Sequence, residues 1–487
     1  MARTHKTFCR LAAVVSALLN GCVKAPAPLT DEEASTLFYA NPSTIKRIGD
    51  PFILKDPDGR YYCYATSSNR GFMAWRSTDL VEWEALGVVF NALGNNQWAS
   101  ADFWAPEAVF RNGKYYMYYS GRWMKNSSLR IGVAESVSPE GPFADALGRP
   151  LFDFGYAVID AHVFFDDNGK IYLYYVRDCS ENLVNGAHES HIYGIELGED
   201  MLSVKGEPVL LTWPEQPWET GGGSWKWNEA PFMLKHQGRY YLMYSANFYA
   251  DKSYSVGYAV SDAPLGRFIK DEKNPVLASP PLWDHISGPG HNCVTVSPDG
   301  AELLAVYHTH TDPQKGGGDR QMAFDRLGFR DDGTLYINGP SQSKNPRPSG
   351  GAYGNIARTA RIRASSSAAE VSRLVDGETG FYRKFSEYDW FAGAGDKSPR
   401  ISFDWDEPVL VKSVLVYPGA GSGENPYSWS VSSNAGNLGK NLDFPGIPGG
   451  ASVLSFKEKA VRSLTINLHS LRDQSYRISE IVILGKR

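Results

Sequence analysis

Between residues 47 and 340 apolar and aromatic side chains alternate with polar ones in short runs, a period of two that fits half-buried strands. One run recurs. It reads "GRYYCYAT" from Gly59, "GKYYMYYS" from Gly113, "GKIYLYYV" from Gly169 and "GRYYLMYS" from Gly238, with a weaker fifth copy, "GAELLAVYHT", from Gly300. The intervals are 54, 56, 69 and 62 residues. A second apolar stretch precedes each copy: "PFILKDPDG", "APEAVFRNG", "AHVFFDDNG", "APFMLKHQG" and "NCVTVSPDG". Asp, Asn and Gly at the junctions are hairpin-turn residues. Further strand-like runs follow, such as "FMAWRSTDL", "RIGVAESV" and "YSVGYAVS". Five strand-only repeats of this size predict the blades of a five-bladed β-propeller, and an all-β protein.

The repeat also fixes a register. Nine residues before each turn glycine stand Asp50, Trp104, Asp160, Glu229 and His291. In a propeller, equivalent positions on the innermost strands lie on one ring about the axis. Glu229, at the head of the apolar run "APFMLKHQG", is thereby expected to face the same funnel as Asp50 and Asp160. Any one of these acids alone reads as a solvated turn residue. Three in one register repel one another, shift one another's pKa values and mark an acid–base site.

After residue 340 the pattern changes. "NGPSQSKNPRPSGGAYG" is rich in Pro, Ser and Gly and marks a linker, 341–355. Beyond it, "RISFDWDEPVLVKSVLVYPG", "AVRSLTINL" and "YRISEIVILGKR" alternate as the strands of a β-sandwich, 356–487. Tyr388 and Trp390, in a loop-like stretch, are candidates for a sugar platform there. At the other end, Arg3, Lys6 and Arg10 precede an apolar run from Leu11 to Leu19, too short to span a bilayer. "LNGC" then reads as a lipoprotein-type signal, 1–22, ending at a lipidated Cys22, with Asn20 unusual in that motif; secretion with cleavage nearby is the alternative. Residues 23–40 read as a tether and 41–340 as the propeller. The expectation is an exported bacterial lipoprotein, periplasmic or on the cell surface, touching the membrane only through Cys22.

Composition narrows the chemistry. The 487 residues allow two or three domains. Lys and Arg number 49 against 54 Asp and Glu, a net charge of −5, and no basic stripe is present, so nucleic acid is not an expected partner. The 27 Tyr, 23 Phe and 13 Trp suit both strands and the stacking of sugar rings. Outside the leader, Cys63, Cys179 and Cys293 are too few and too far apart for a disulfide framework or a zinc site, and read as buried thiols.

The pieces "GDPFIL", "WAPEAVF", "IDAHVFFDDNGKIYLYY", "NEAPFMLKHQGRYYLMYS" and "GPGHNCV", in this order and spacing, resemble glycoside hydrolase family 43. The family's "WAPD"-like motif has Glu107 here in place of Asp. The resemblance implies an inverting glycosidase on a five-bladed propeller, with Asp50 as general base, Glu229 as general acid and Asp160 as the carboxylate that tunes the acid and orients substrate. Inversion needs one ionised and one protonated carboxyl on opposite faces of the sugar, about 6.5–9.5 Å apart. An anionic Asp160 near Glu229 would hold the acid's proton to higher pH. Substrate-binding candidates are Trp104, Trp225, Trp227, His291 and Arg320. His291 matches a family histidine that in some members helps hold a calcium ion through water, or it has a purely structural place. No cofactor is required; a structural Ca2+ is the one metal implied. The pieces "ASSSAAEVSRLVDGETG", "ISFDWDEPVLVKSVLVY" and "RISEIVILG" resemble a discoidin-like (factor 5/8 type C) jelly roll, a β-sandwich either carbohydrate-binding or bracing the propeller. The substrate expected is a plant glycan bearing arabinose, xylose or galactose. α-L-Arabinofuranosidase leads, with β-D-xylosidase, β-galactofuranosidase and galactan-directed exo-activity on the same residues. A retaining fructosidase-like propeller would need "NDPNG" and "RDP" motifs, which the chain lacks. A sugar-binding surface lipoprotein is the non-enzyme alternative.

Overall fold

The computed structural model of the protein describes residues 29–221, 223–280, 285–379, 388–419, 428–441, 449–469 and 476–487. The expected leader and Cys22 lie outside the described residues. The described chain is almost entirely β, and none of its helices is long and apolar enough to cross a membrane.

Five four-stranded sheets follow one another along the chain. Their first strands are Gly49–Lys55, Ala99–Arg111, Val158–Phe165, Asn228–His236 and Gly290–Val296. Each of these touches the next, and the fifth touches the first, so the five sheets form a closed ring. Every first strand turns into an antiparallel second strand through a repeated glycine, Gly59, Gly113, Gly169, Gly238 or Gly300, with φ between 76° and 85°. That left-handed backbone is strained for a residue carrying Cβ and free for glycine. The second strands supply the "YYxYY" side chains that bury the core: Tyr64, Tyr118, Tyr119, Tyr174, Tyr175 and Tyr244 are fully buried. The ring is closed between its ends by the segment before the first sheet. Ser43 N–H donates to the Met322 carbonyl and Ile48 N–H to the Arg320 carbonyl, which joins this segment to the third strand of the fifth sheet.

Among the described residues the C-terminal region forms one antiparallel sheet of eight strands, dominated by the long strands Arg400–Pro418, Ser452–His469 and Arg477–Lys486. It has its own core, including Trp390, Trp429, Ile466 and Ile483. Trp390 is fully buried and donates from Nε1 to Ser367 Oγ at 2.8 Å. This corrects the expectation of a sugar platform. Tyr388 is likewise occupied, with the Arg330 guanidinium 4.0 Å over its ring.

The segments read as tether and linker are folded where they are described. Residues Asp31–Ser35 form a short helix capped by Thr30. Phe38–Tyr39 pair with Asn345–Pro346. Leu37 and Phe38 pack with Leu415, Tyr417, Ala451, Val482 and Leu484 of the C-terminal sheet. The entry and exit of the five-sheet ring thus form a wedge between the two regions, reinforced by Arg330 on Glu378 at 2.8 Å.

Candidate active site

The first strands do not run straight into the ring centre. Each carries a register shift at its head, between Gly49 and Phe52, Trp104 and Glu107, Ile159 and His162, Glu229 and Phe232, and Gly290 and Cys293. At each bulge one residue is left-handed: Asp50 (φ 55°), Ala105 (45°), Asp160 (53°), Ala230 (53°) and His291 (50°). A non-glycine residue in this region costs about 1–2 kcal/mol. It is held there by its own N–H, which donates to a side chain of the preceding sheet. Asp50 N–H reaches His308 Nδ1 (3.2 Å), Ala105 N–H reaches Thr66 Oγ1 (2.8 Å), Asp160 N–H reaches Ser120 Oγ (3.1 Å) and His291 N–H reaches Ser245 Oγ (2.8 Å). These acceptors sit at matching places on the second strands. The third sheet has Val176 there, paired with Ile159, and a valine side chain accepts nothing. Asp160 Oδ2 takes over and accepts from Ala230 N–H at 3.0 Å. One ring carboxylate therefore grips the peptide immediately after Glu229.

Asp50 is buried among donors. Arg320 NH1 donates to its Oδ1 at 2.7 Å, His291 Nδ1 lies 3.2 Å from the same oxygen, and the Thr66 hydroxyl donates to Oδ2 at 2.6 Å. Burial works against the charge, but the Arg320 guanidinium, His291 and the Thr66 hydroxyl outweigh it and hold the carboxyl well below the usual range. His308 lies 3.5 Å from the same Oδ1, yet it is not a counter-charge. Its Nδ1 is the acceptor of the Asp50 N–H, and burial together with Arg320 keeps the ring neutral. Gly49 makes room for the clamp: a Cβ there would sit 2.1 Å from the Arg320 guanidinium.

Glu229 is in the opposite state. Burial, then the charge of Asp160, raises its pKa well above the ordinary value. Asp160 itself is pushed up to about 6 by burial, with His291 opposing and Asp50 adding. The two carboxyls repel each other, and Glu229 is the one that holds a proton more readily. Tyr254, fully buried, donates its O–H to Glu229 Oε1 at 2.8 Å. Lys270 Nζ is bonded to Glu219 and to Asn228 Oδ1 (2.9 Å), which fixes the residue before the acid. The arrangement is one firmly ionised carboxylate, one carboxyl held protonated, and a third that supports the second.

Asp50, Asp160, Glu229 and His291 face one another, but the nine-residue count is corrected at two places: Trp104 and Glu229 stand one residue ahead of the left-handed position held by Asp50, Asp160 and His291, where Ala105 and Ala230 lie. Arg320 joins the ring through Asp50. Trp104 lies within the first strand of the second sheet, paired with Ser120 and partly buried. Trp225 and Trp227 lie outside the ring: Trp225 stacks on His188, and Trp227 lies tilted against Phe248. His291 is turned to Asp50. Among the described residues no group of three or more His, Cys, Asp or Glu is placed to hold a metal ion, so no step is assigned to calcium. Thr66, His308 and Tyr254 were not singled out in the sequence. The first two had a signal, the matching place on the second strand of each repeat. Tyr254 had none, since it follows a loop.

The family model for glycosyl hydrolases family 43 matches residues 39–335. The chain belongs to glycoside hydrolase family 43. It is a glycosidase, and members of this family need no cofactor. Among its relatives is the β-D-galactofuranosidase of Aspergillus niger, 31% identical over 336 residues, which cover 63% of this chain and 90% of that protein. The extracellular exo-α-(1→5)-L-arabinofuranosidase of Streptomyces chartreusis is 31% identical over 284 residues, covering 55% of this chain and 82% of that protein. The crystal structure of a thermostable family-43 glycoside hydrolase is 51% identical, with a TM-score of 0.61, and covers 64% of this chain and 99% of that one.

For a family-43 site of this geometry, Tyr254→Phe carries a pH signature. The phenol donates to the ionised as well as the neutral acid and favours the ionised form, so its loss raises the pKa of Glu229 further. The active form is protonated. The basic limb of the kcat/KM profile is expected to move to higher pH, measured as a pH series on an oligosaccharide substrate; an unmoved or lowered limb would mean that Tyr254 does not govern the acid.

Proposed function

We propose that this family-43 enzyme is an inverting, exo-acting α-L-arabinofuranosidase in which Asp50 is the general base, Glu229 the general acid and Asp160 the residue that tunes and orients the acid. The observation that carries the assignment is the opposed ionisation of the two carboxyls, Asp50 clamped as an anion by Arg320 and Glu229 held protonated beside Asp160. Asp50 takes a proton from water as the water oxygen bonds to the anomeric carbon. The glycosidic C–O bond breaks, and Glu229 gives its proton to the leaving oxygen. Exchange with solvent then restores both groups. Arg320, His291 and Trp104 border the bound sugar, and Trp225 and Trp227 stand at the rim.

The arabinofuranoside is favoured by likeness to the arabinofuranosidase of Streptomyces chartreusis. The Aspergillus niger relative favours β-D-galactofuranoside as the second reading, since both sugars are furanosides. β-D-Xyloside and galactan ends follow. The same reading takes the five-sheet ring as a five-bladed β-propeller over 41–340 and the C-terminal sheet as a discoidin-like jelly roll. It also places the enzyme outside the cytoplasm of a bacterium, anchored through Cys22.

The test is hydrolysis of nitrophenyl α-L-arabinofuranoside, β-D-galactofuranoside, β-D-xyloside and β-D-galactoside, with the anomer of the first-formed sugar read by NMR. Turnover of the arabinofuranoside with inverted product is the expected result. A retained anomer would overturn the assignment of Asp50 as base, and preference for another glycoside would replace the sugar.

A further inference from the structure

A second group of side chains lies beside the ring and takes no part in the chemistry above. Between the third sheet's second strand and Glu229 the chain forms a separate three-stranded sheet from Leu183–Val184, Ala187–Glu189 and Trp225–Lys226. Its register places Leu183 opposite His188 and His188 opposite Trp225, so the three project from one face as a row. Glu189 and Lys226 are opposite each other on the other face and form a 2.9 Å ion pair. Rings continue the row. His188 and Trp225 are stacked, 4.0 Å between centroids and 7° between planes. Trp225 is 6.5 Å from Trp227, Trp227 is 5.5 Å from Phe248, and Phe248 is 4.8 Å from Tyr249. Tyr249 lies under the Arg320 guanidinium, which holds Asp50.

This row is unusual because it is exposed. Leu183 is 66% exposed, Trp225 41%, Phe248 38% and Tyr249 37%. A buried aromatic ladder needs no explanation beyond packing, but large apolar side chains left in water along one line point to a ligand. The ladder is also pre-set. His188 Nδ1 is bonded to the Cys179 carbonyl at 2.8 Å, and Lys226, Glu189 and His191 are linked beneath it. Little side-chain entropy remains to be lost when something stacks on it.

We infer that this ladder is a binding platform for the leaving-group side of a glycan chain, several sugar rings long. The inference rests on the hydrolase reading above. The side follows from connectivity: Trp225 and Trp227 lead directly into Glu229, and Phe248 and Tyr249 follow the strand Arg239–Ala246 that pairs with it. The acid protonates the leaving oxygen, so the platform adjoining the acid receives the chain that departs. The occupant is a saccharide rather than a protein because the row ends on the catalytic ring through Tyr249, Arg320 and Asp50. Its faces are flat rings that match the apolar faces of sugars. The substrate class is accordingly a polysaccharide or long oligosaccharide, trimmed from its end while its body lies on the ladder.

The experiment compares wild type with Trp225→Ala and Phe248→Ala on a nitrophenyl glycoside and on linear arabino-oligosaccharides of two to eight units. In wild type, kcat/KM is expected to climb with chain length. The ratio of kcat/KM for the longest oligosaccharide to that for the aryl glycoside should fall about tenfold in each variant, chiefly through KM. Binding of the same series to Asp50→Asn protein, followed by tryptophan fluorescence, should lose its length dependence when Trp225→Ala is added. A flat length dependence in wild type, or an unchanged ratio in both variants, would overturn the platform and leave the hydrolase reading standing. Absence of all turnover on these arabinosides would sink the arabinofuranosidase reading instead. A concentration-dependent dimer that Trp225→Ala dissolves would assign the ladder to a second copy of the chain and overturn the proposal.

Discussion

Glu229→Gln is expected to slow hydrolysis of an arabino-oligosaccharide by about 10²–10⁴-fold, the usual worth of a general acid. Gln keeps the shape of the side chain and can still accept the Tyr254 hydrogen bond, so the loss falls on the proton and not on the fold. A sugar alkoxide leaves poorly without that proton, whereas nitrophenolate leaves well. The same variant should therefore lose much less on the nitrophenyl glycoside. Its pH profile supplies a second reading. In wild type the acid works only while protonated, and burial with the nearby Asp160 raises its pKa. Activity is held as pH rises past the ordinary glutamate range and is lost as pH passes through the raised value. In Glu229→Gln that basic limb should disappear from the aryl-glycoside profile. Equal losses on both substrates, or a basic limb that persists, would remove Glu229 as the acid.

Asp50→Asn should behave differently. It is expected to cut both substrates by at least about 10³-fold, because activation of water is common to both and the leaving group does not matter. Asn can still accept from Arg320 but cannot take a proton from water. The acid limb of the wild-type profile should lie well below the usual carboxylate range, since Arg320, His291 and Thr66 stabilise the anion against its burial. The contrast between the two variants is the test. If Asp50→Asn spared the aryl glycoside as Glu229→Gln does, the roles of the two carboxyls would have to be exchanged.

The sequence by itself determined the five repeats, the hairpin glycines and the ring register, because each depends on local pattern. A period of two sets which side chains face inward, and glycine is favoured at the hairpin turns because φ is positive there. Counting from Gly59, Gly113, Gly169, Gly238 and Gly300 was enough to reach Asp50, Asp160 and His291 at the bulges and to come within one residue of them with Trp104 and Glu229. The tertiary structure decided everything that depends on contacts between distant segments. It showed that Val176 leaves the Ala230 N–H to Asp160, and that His308 serves Asp50 as an acceptor rather than a charge. It brought Tyr254 to the acid from beyond a loop and buried Trp390 in a core where an exposed platform had been expected. It turned part of a tether into a wedge between two regions. The ladder from Leu183 to Tyr249 is the clearest case. Trp225 and Trp227 were visible as rim candidates, but the row needs His188 opposite Trp225 and Phe248 against Trp227. Strand pairing and ring stacking across about sixty residues of chain have no local signature, because the free energy that selects them comes from burial in three dimensions and not from the propensity of any one segment.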